Sequence, residues 1–266
     1  MNKPADPAPD AGQTRLEIAG HVAQIWFDRP RARNAMTWDM YEGLAESCAA
    51  IAARDDVRVV VLRGAGGKAF IAGTDIEQFM TFESGDDGVR YEAAIARYVG
   101  AVASLEIPTI AVVEGWAVGG GMAIASVCDF RIATPGARFG VPIARTLGNC
   151  LSTGNLAVLM AQLGPSIVRR MLLLAEMVPA EELLANGYVL EIAPSEALDD
   201  VVAARAATLA SHAPVTMAVT KTALARLIEA GVVDDHDLVT RAYGSDDFHA
   251  GVRAFVARGR PDWQGR

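Results

Sequence analysis

Apolar positions along the chain change their period again and again, and each change marks an element. Residues 16–18 and 22–27 alternate on either side of Gly20-His21 and predict a hairpin leading into Asp28-Arg29-Pro30. From Thr37 the spacing turns helical as far as about Arg54, with Thr37 placed to cap the first turn. Residues 57–62 form a short β-branched run closed by Gly64, the signature of a buried strand. A polar stretch bearing Gly and Asp, residues 81–88, is expected to be a mobile loop before a helix over 89–105 that Pro108 ends. Residues 109–113 predict a strand, 120–127 a helix and 130–133 a strand again. Strand and helix alternate, so the economical topology is α/β, a parallel sheet with helices outside it.

Beyond Pro135-Gly136 the chain passes through residues 138–142 and enters a helix that runs to about Gln162. Further helices are predicted at 166–175 and 180–186, the second closed by Gly187. Strands stop near Ile192, and from Ala197 onward the pattern is almost wholly helical, with a break at Pro214. Three segments follow: a flexible N-terminal tail over 1–14, an α/β core over 15–196, and a helical region over 197–266 that packs on a neighbour or folds back as a lid.

Composition narrows the partners. Of 266 residues 52% are hydrophobic and 21% charged, ordinary for a globular chain with a sizeable core. The formal net charge of -8 argues against nucleic acid and against an anionic membrane surface, which leaves a small molecule as the expected partner. Cys48, Cys128 and Cys150 show no CxxC spacing and the four histidines stand in no ligand pattern, so neither a disulfide framework nor a metal site is expected, and a reducing cytoplasm fits. Residues 1–13 lack the apolar stretch of a signal peptide, and no run approaches the roughly 20 apolar residues of a membrane span.

The chemistry concentrates in two glycine turns. Ala69-Phe70-Ile71-Ala72-Gly73-Thr74-Asp75-Ile76 and Ala117-Val118-Gly119-Gly120-Gly121-Met122 each read as a strand, a glycine turn and the start of a helix. Such a start presents backbone N–H groups without an intrahelical acceptor. Two of them aimed at one point stabilise the negative oxygen that develops in acyl chemistry. Glycines also serve plain turns and close packing, so either turn alone says little.

With both turns in view the chain resembles the crotonase family, the enoyl-CoA hydratase/isomerase superfamily. The likeness includes Asp28-Arg29-Pro30 through Arg33-Asn34-Ala35-Met36, both glycine turns, Cys128-Asp129-Phe130-Arg131-Ile132-Ala133, Phe139-Gly140-Val141-Pro142, and the ending Ala254-Phe255 to Arg260-Pro261-Asp262-Trp263. The resemblance implies a spiral of ββα turns with a C-terminal helical region, assembled as a homotrimer or a dimer of trimers. It implies an acyl-CoA thioester as substrate, with coenzyme A belonging to the substrate and no separate cofactor. It places the oxyanion donors on the main chain of Thr74 and Gly120, and the coenzyme near Arg33, Ala35, Ala72 and Ile76; Arg31 and Arg33 either meet its phosphates or stay solvated. Arg258 and Arg260 would meet the coenzyme of another subunit.

One part of the pattern is missing. Relatives that hydrate enoyl-CoA carry two glutamates, where this chain has Ala123 and, after Pro142, Ile143 and Ala144. Substitutes for the proton-transfer group are Glu114, Arg145, Asn149, Cys150 and Ser152, each with a plainer reading as a helix cap, a buried thiol or the end of a strand. Asp75 reads as a local helix-start carboxylate rather than a base. The expectation is an acyl-CoA enzyme of the hydratase/isomerase type. Its competitors are a hydrolase, decarboxylase or isomerase using the same pocket, and a CoA-ester-binding protein without turnover.

Overall fold

The computed structural model describes residues 11–265. Strands β1 (Gln13–Ala19) and β2 (Val22–Asp28) form the expected hairpin, in a register that sets Leu16 opposite Ile25. The strand thus begins inside the segment expected to be a tail, and residues 1–10 of that tail lie outside the described residues. Along β2 every second side chain, Ala23, Ile25 and Phe27, is fully buried, the period-two pattern of a strand with one face on the core. Helix α1 (Trp38–Ala52) follows, and its cap is the one expected: Met40 N–H donates to Thr37 Oγ1 at 3.3 Å.

Strand β3 (Val59–Gly64) lies parallel to β2 and is buried on both faces, Val60 and Leu62 in one apolar cluster and Val59 and Val61 in a second. A 3-10 turn over Ile76–Thr81 then leads into helix α2 (Gly85–Ala103), which starts well before the helix expected from residue 89. The expected loop over 81–88 is thereby cut to a few residues. Its polar residues are a helix start, since Glu83 and Ser84 N–H both donate to Asp87 at 2.9 Å. Its glycines are not hinges either: a Cβ at Gly88 would overlap the Tyr243 ring, and one at Gly85 would overlap Thr240.

Strand β4 (Thr109–Val113), strand β5 (Trp116–Val118), helix α3 (Gly120–Val127), strand β6 (Phe130–Ala133) and strand β7 (Arg138–Gly140) come next. A single helical turn, α4 (Ile143–Thr146), precedes helix α5 (Thr153–Leu173). Among the described residues α5 alone is long and apolar enough to cross a membrane by length and composition, more than the sequence pattern led us to expect. Its backbone is broken at Gly164, φ 73° and ψ 164°, where two helices are predicted, and Leu159, Leu163, Val168 and Met171 are buried inside the protein.

The core closes with strand β8 (Val178–Pro179), helix α6 (Ala180–Asn186), capped by Gly187 at φ 88°, and strand β9 (Glu191–Ile192). One sheet runs β1-β2-β3-β4-β6-β9 and a second runs β5-β7-β8. Two single bridges, Ile71 with Ala117 and Met36 with Thr74, bring the glycine turns alongside the smaller sheet.

The helical region divides its work. Helix α7 (Leu198–Ala210) covers the second face of the large sheet through Leu198, Val202 and Ala206. Helix α8 (Pro214–Glu229) buries none of its residues, although Lys221 reaches back to Asp129 at 2.8 Å. Helices α9 (His236–Tyr243) and α10 (Asp246–Val256) fold onto α2 and the 3-10 turn, where Tyr243 and Phe248 join Phe79, Phe82 and Tyr91 in one aromatic cluster.

Candidate active site

The bridge at Met36 decides which way Thr74 points. Met36 N–H donates to Gly73 C=O and Asp75 N–H donates to Met36 C=O, both at 2.9 Å, so the peptide groups on either side of Thr74 face Met36. The N–H of Thr74 itself turns the other way and meets no acceptor among the described residues. Gly120 opens α3, where an N–H has no intrahelical acceptor, and Gly119 before it adopts φ 54° and ψ -115°. The two turns touch: a Cβ on Gly119 would lie 3.8 Å from Gly73 Cα. Gly73, at φ 118°, holds a conformation that side chains disfavour, so its place in the turn needs glycine.

Main-chain donation alone would leave the Thr74 side chain free, but it is held. Tyr41 Oη lies 2.8 Å from Thr74 Oγ1, and Tyr91 Oη donates to the same oxygen at 3.1 Å. Both phenols are buried, and burial pushes their pKa values up from the ordinary tyrosine range, so both stay neutral. Tyr41 Oη also stands where a Cβ at Gly120 would fall. The hydroxyl cluster therefore braces one turn and closes off the other.

A cavity of about 130 Å³ opens beside the turns. Gly73, Thr74 and Gly119 form one end of its lining, and Ala72 and Ile76 lie beside them. Ala123, Pro142 and Ile143 also line it, so two of the positions lacking the family's glutamates are apolar wall. Phe255 of α10 contributes from the helical region. The lining also has a polar part, made by Glu92, Asn149 and Asn155.

Glu92 is only 5% exposed. Its carboxylate accepts from Tyr243 Oη at 2.7 Å and from Ser152 N–H at 3.0 Å, and Asn149 Nδ2 donates to Tyr243 Oη at 3.1 Å. Burial raises its pKa above the ordinary glutamate value, against the lowering effect of these hydrogen bonds. Three buried atoms around it, Asn149 Oδ1, Ser152 Oγ and Asn155 Nδ2, have no partner among the described residues. Buried polar atoms are rarely left so in a finished site, which marks this end of the cavity as a place for a polar guest.

The remaining sequence candidates separate cleanly. Asn149 and Ser152 belong to this polar end. Ser152 occupies the N-cap position of α5 but its side chain makes no capping bond, contrary to the plainer reading. Cys150 sits nearby with its thiol pushed up to about 12, chiefly by burial. Glu114 is turned away to Arg63 at 3.0 Å, and Arg145 is exposed on α4. Asp75 caps the 3-10 turn and pairs with Arg29 at 2.8 Å, a structural role. Of the residues assigned to the coenzyme, Ala72 and Ile76 line the cavity, and Ala72 N–H donates to Arg33 C=O at 3.1 Å. Arg29 donates to Ala35 C=O at 3.2 Å, which holds that backbone at the same rim, whereas Arg31 and Arg33 extend into solvent. Among the described residues no cluster of His, Cys, Asp and Glu has the makings of a metal site.

Sequence reasoning missed Tyr41, Tyr91, Glu92, Asn155 and Tyr243. Each sits at a helical position whose pattern announces only a buried face. Glu92 alone carried a signal, an acid on the apolar face of a helix.

Known proteins bear out the shape. A sequence model of the family described as enoyl-CoA hydratase/isomerase matches residues 17–266. The chain is 32% identical to an (E)-benzylidenesuccinyl-CoA hydratase of Thauera aromatica, covering 94% of this chain and 98% of that one. A crystal structure of an enoyl-CoA hydratase/carnithine racemase from Magnetospirillum magneticum superposes with a TM-score of 0.77 at 32% identity, over 95% of this chain and 96% of the other. A methylmalonyl-CoA decarboxylase in complex with 2-nitronate-propionyl-CoA gives a TM-score of 0.87 at 25% identity, over 96% and 99%.

Proposed function

The chain belongs to the enoyl-CoA hydratase/isomerase family of acyl-CoA enzymes, and from that premise we propose that it holds a thioester enolate between the N–H groups of Thr74 and Gly120. The observation that carries this reading is the contact of the two glycine turns at one end of a cavity, with the Thr74 amide unpaired. A thioester oxygen accepting from both amides gains most as it becomes negative, so the interaction favours the enolate over the ground state. The coenzyme runs out over Ala72, Ile76, Ala35 and Arg33, with Arg31 and Arg33 toward its phosphates, and the enzyme uses no cofactor beyond the coenzyme A of its substrate. A cavity of about 130 Å³ suits a short acyl group, because an apolar cavity of about 150 Å³ takes up one benzene.

The reaction at that enolate is enoyl-CoA hydration or isomerisation, run without the usual pair of glutamates. A second reading, decarboxylation of a malonyl-type thioester, is favoured by the apolar wall at Ala123 and Ile143, since loss of CO2 forms the enolate without any base. A panel of crotonyl-CoA, unsaturated isomers and malonyl-type thioesters separates the two. Hydrolysis would show as free coenzyme A, and binding without any product would reduce the protein to a carrier.

The enolate site itself is tested with a saturated short-chain acyl-CoA carrying 13C at the thioester carbonyl. Binding to the wild-type protein is expected to move that resonance downfield as two N–H groups polarise the carbonyl. Gly120→Pro, which removes one donor, is expected to abolish most of the shift and to lower turnover about 100- to 1,000-fold. A bound thioester whose carbonyl resonance does not move overturns the assignment.

A further inference from the structure

Resting on the enolate reading, we propose that Glu92 is the catalytic acid and base of this enzyme, supplied from helix α2 in place of the missing pair. Among the described residues that line the cavity Glu92 is the only carboxylic acid, and Ala123 and Ile143 offer no proton acceptor. It is the residue next to Tyr91, whose hydroxyl is bonded to Thr74, so one turn of α2 supplies both the brace of the Thr74 turn and a carboxylate lining the same cavity. An acyl group whose thioester oxygen lies at the Thr74 and Gly120 amides extends into the space that Glu92 borders.

The surroundings suit proton transfer better than plain structural burial. A carboxylate has about four acceptor positions, and the protein fills two, from Tyr243 Oη and Ser152 N–H. The unpartnered Asn155 Nδ2 and Asn149 Oδ1 lie at the same end, one a donor and one an acceptor, a pair that water satisfies. Such a water adds its oxygen to the β-carbon of the enoyl thioester while its proton passes to Glu92. The electron pair of the double bond moves to the thioester as the enolate. Glu92 then returns the proton to the α-carbon and the enolate collapses, so that H and OH have been added and the carboxylate is regenerated. The same group exchanges the α-proton of a saturated thioester with solvent.

Charges around Glu92 set its working range. Tyr243 of α9 bonds it, and the titratable groups that act on it through space are Tyr91 of its own helix, Tyr41 of α1, Cys150 before α5, and Asp235 at the start of α9. Of these Asp235 raises the Glu92 pKa while the Tyr243 hydrogen bond lowers it. Removing that bond in Tyr243→Phe leaves the carboxylate in place but makes it harder to ionise.

The experiment follows hydration of crotonyl-CoA, and exchange of the α-protons of butyryl-CoA in D2O by NMR, in wild type, Glu92→Gln and Tyr243→Phe. Glu92→Gln is expected to lose about 100- to 10,000-fold in both rates while still binding butyryl-CoA with its carbonyl resonance displaced. Tyr243→Phe is expected to retain measurable though reduced activity and to move the acidic limb of its pH–rate profile to higher pH, which a structural role for Glu92 would not do. Undiminished exchange in Glu92→Gln overturns the proposal, as does an unmoved limb in Tyr243→Phe, which decides the matter if the first variant does not fold. A wild-type protein that displaces the carbonyl resonance yet neither hydrates nor exchanges overturns the role of Glu92 alone. One that leaves the resonance unmoved overturns the enolate site instead.

Discussion

At the scale of single residues the site depends on groups that hold other groups. Thr74 leaves its amide unpaired and engages its hydroxyl with Tyr41 and Tyr91, so one residue joins the glycine turn to helices α1 and α2. Thr74→Val preserves shape and removes the oxygen, leaving two buried phenols short of a partner. The expected cost is about 1–3 kcal/mol of stability for the orphaned hydroxyls, read as a lowered denaturation midpoint. A midpoint equal to that of the wild type would show that the cluster braces nothing. The place of Thr74 in a glycine turn is legible in the sequence because the Ala-Gly pair before it marks that turn. Its side-chain role is not, because Tyr41 and Tyr91 are remote in the chain and look like ordinary core aromatics.

Among elements, strands β3, β4 and β6 follow the sequence closely, since apolar runs buried on both faces leave few alternatives, whereas the short strands β7 and β8 and the second sheet they form did not show in the pattern. The hairpin, the Thr37 cap and the αL glycine after α6 were all readable for the same local reasons. Residues 81–88 were not, because Gly and Asp there signal a loop unless the partner helix is known. Gly85 and Gly88 let α9 approach α2 at van der Waals distance, and Tyr243 thereby reaches Glu92. Gly88→Ala is accordingly expected to push α9 outward, at about 1–3 kcal/mol for overpacking. The same change should depress turnover more than thioester affinity, because it disturbs the carboxylate and not the glycine turns. Equal thermal midpoints and rates for the two proteins would contradict the packing argument.

At the scale of the whole molecule one helix keeps its large apolar side chains exposed. Helix α8 buries no residue in the monomer, and Val215, Val219, Leu224 and Leu227 remain 58–74% exposed. Leu173 and Leu174 at the end of α5 add 74% and 72% exposed side chains. Apolar surface of this kind marks an interface. We expect a homotrimer or a dimer of trimers, measured by sedimentation equilibrium, and expect Leu227→Glu to shift it toward smaller species. A monomeric mass at micromolar concentration would overturn that expectation.

The folding of α9 and α10 onto α2 has a consequence for how the cavity can be lost. Its glycine turns belong to the sheets, whereas Tyr243, which donates to Glu92, and Phe255, which lines the cavity, come from helices far along the chain. Local unfolding of α9 and α10 would therefore leave both turns standing and take away one wall. A chain in that half-open form would keep the shape of its sheets and lose its chamber.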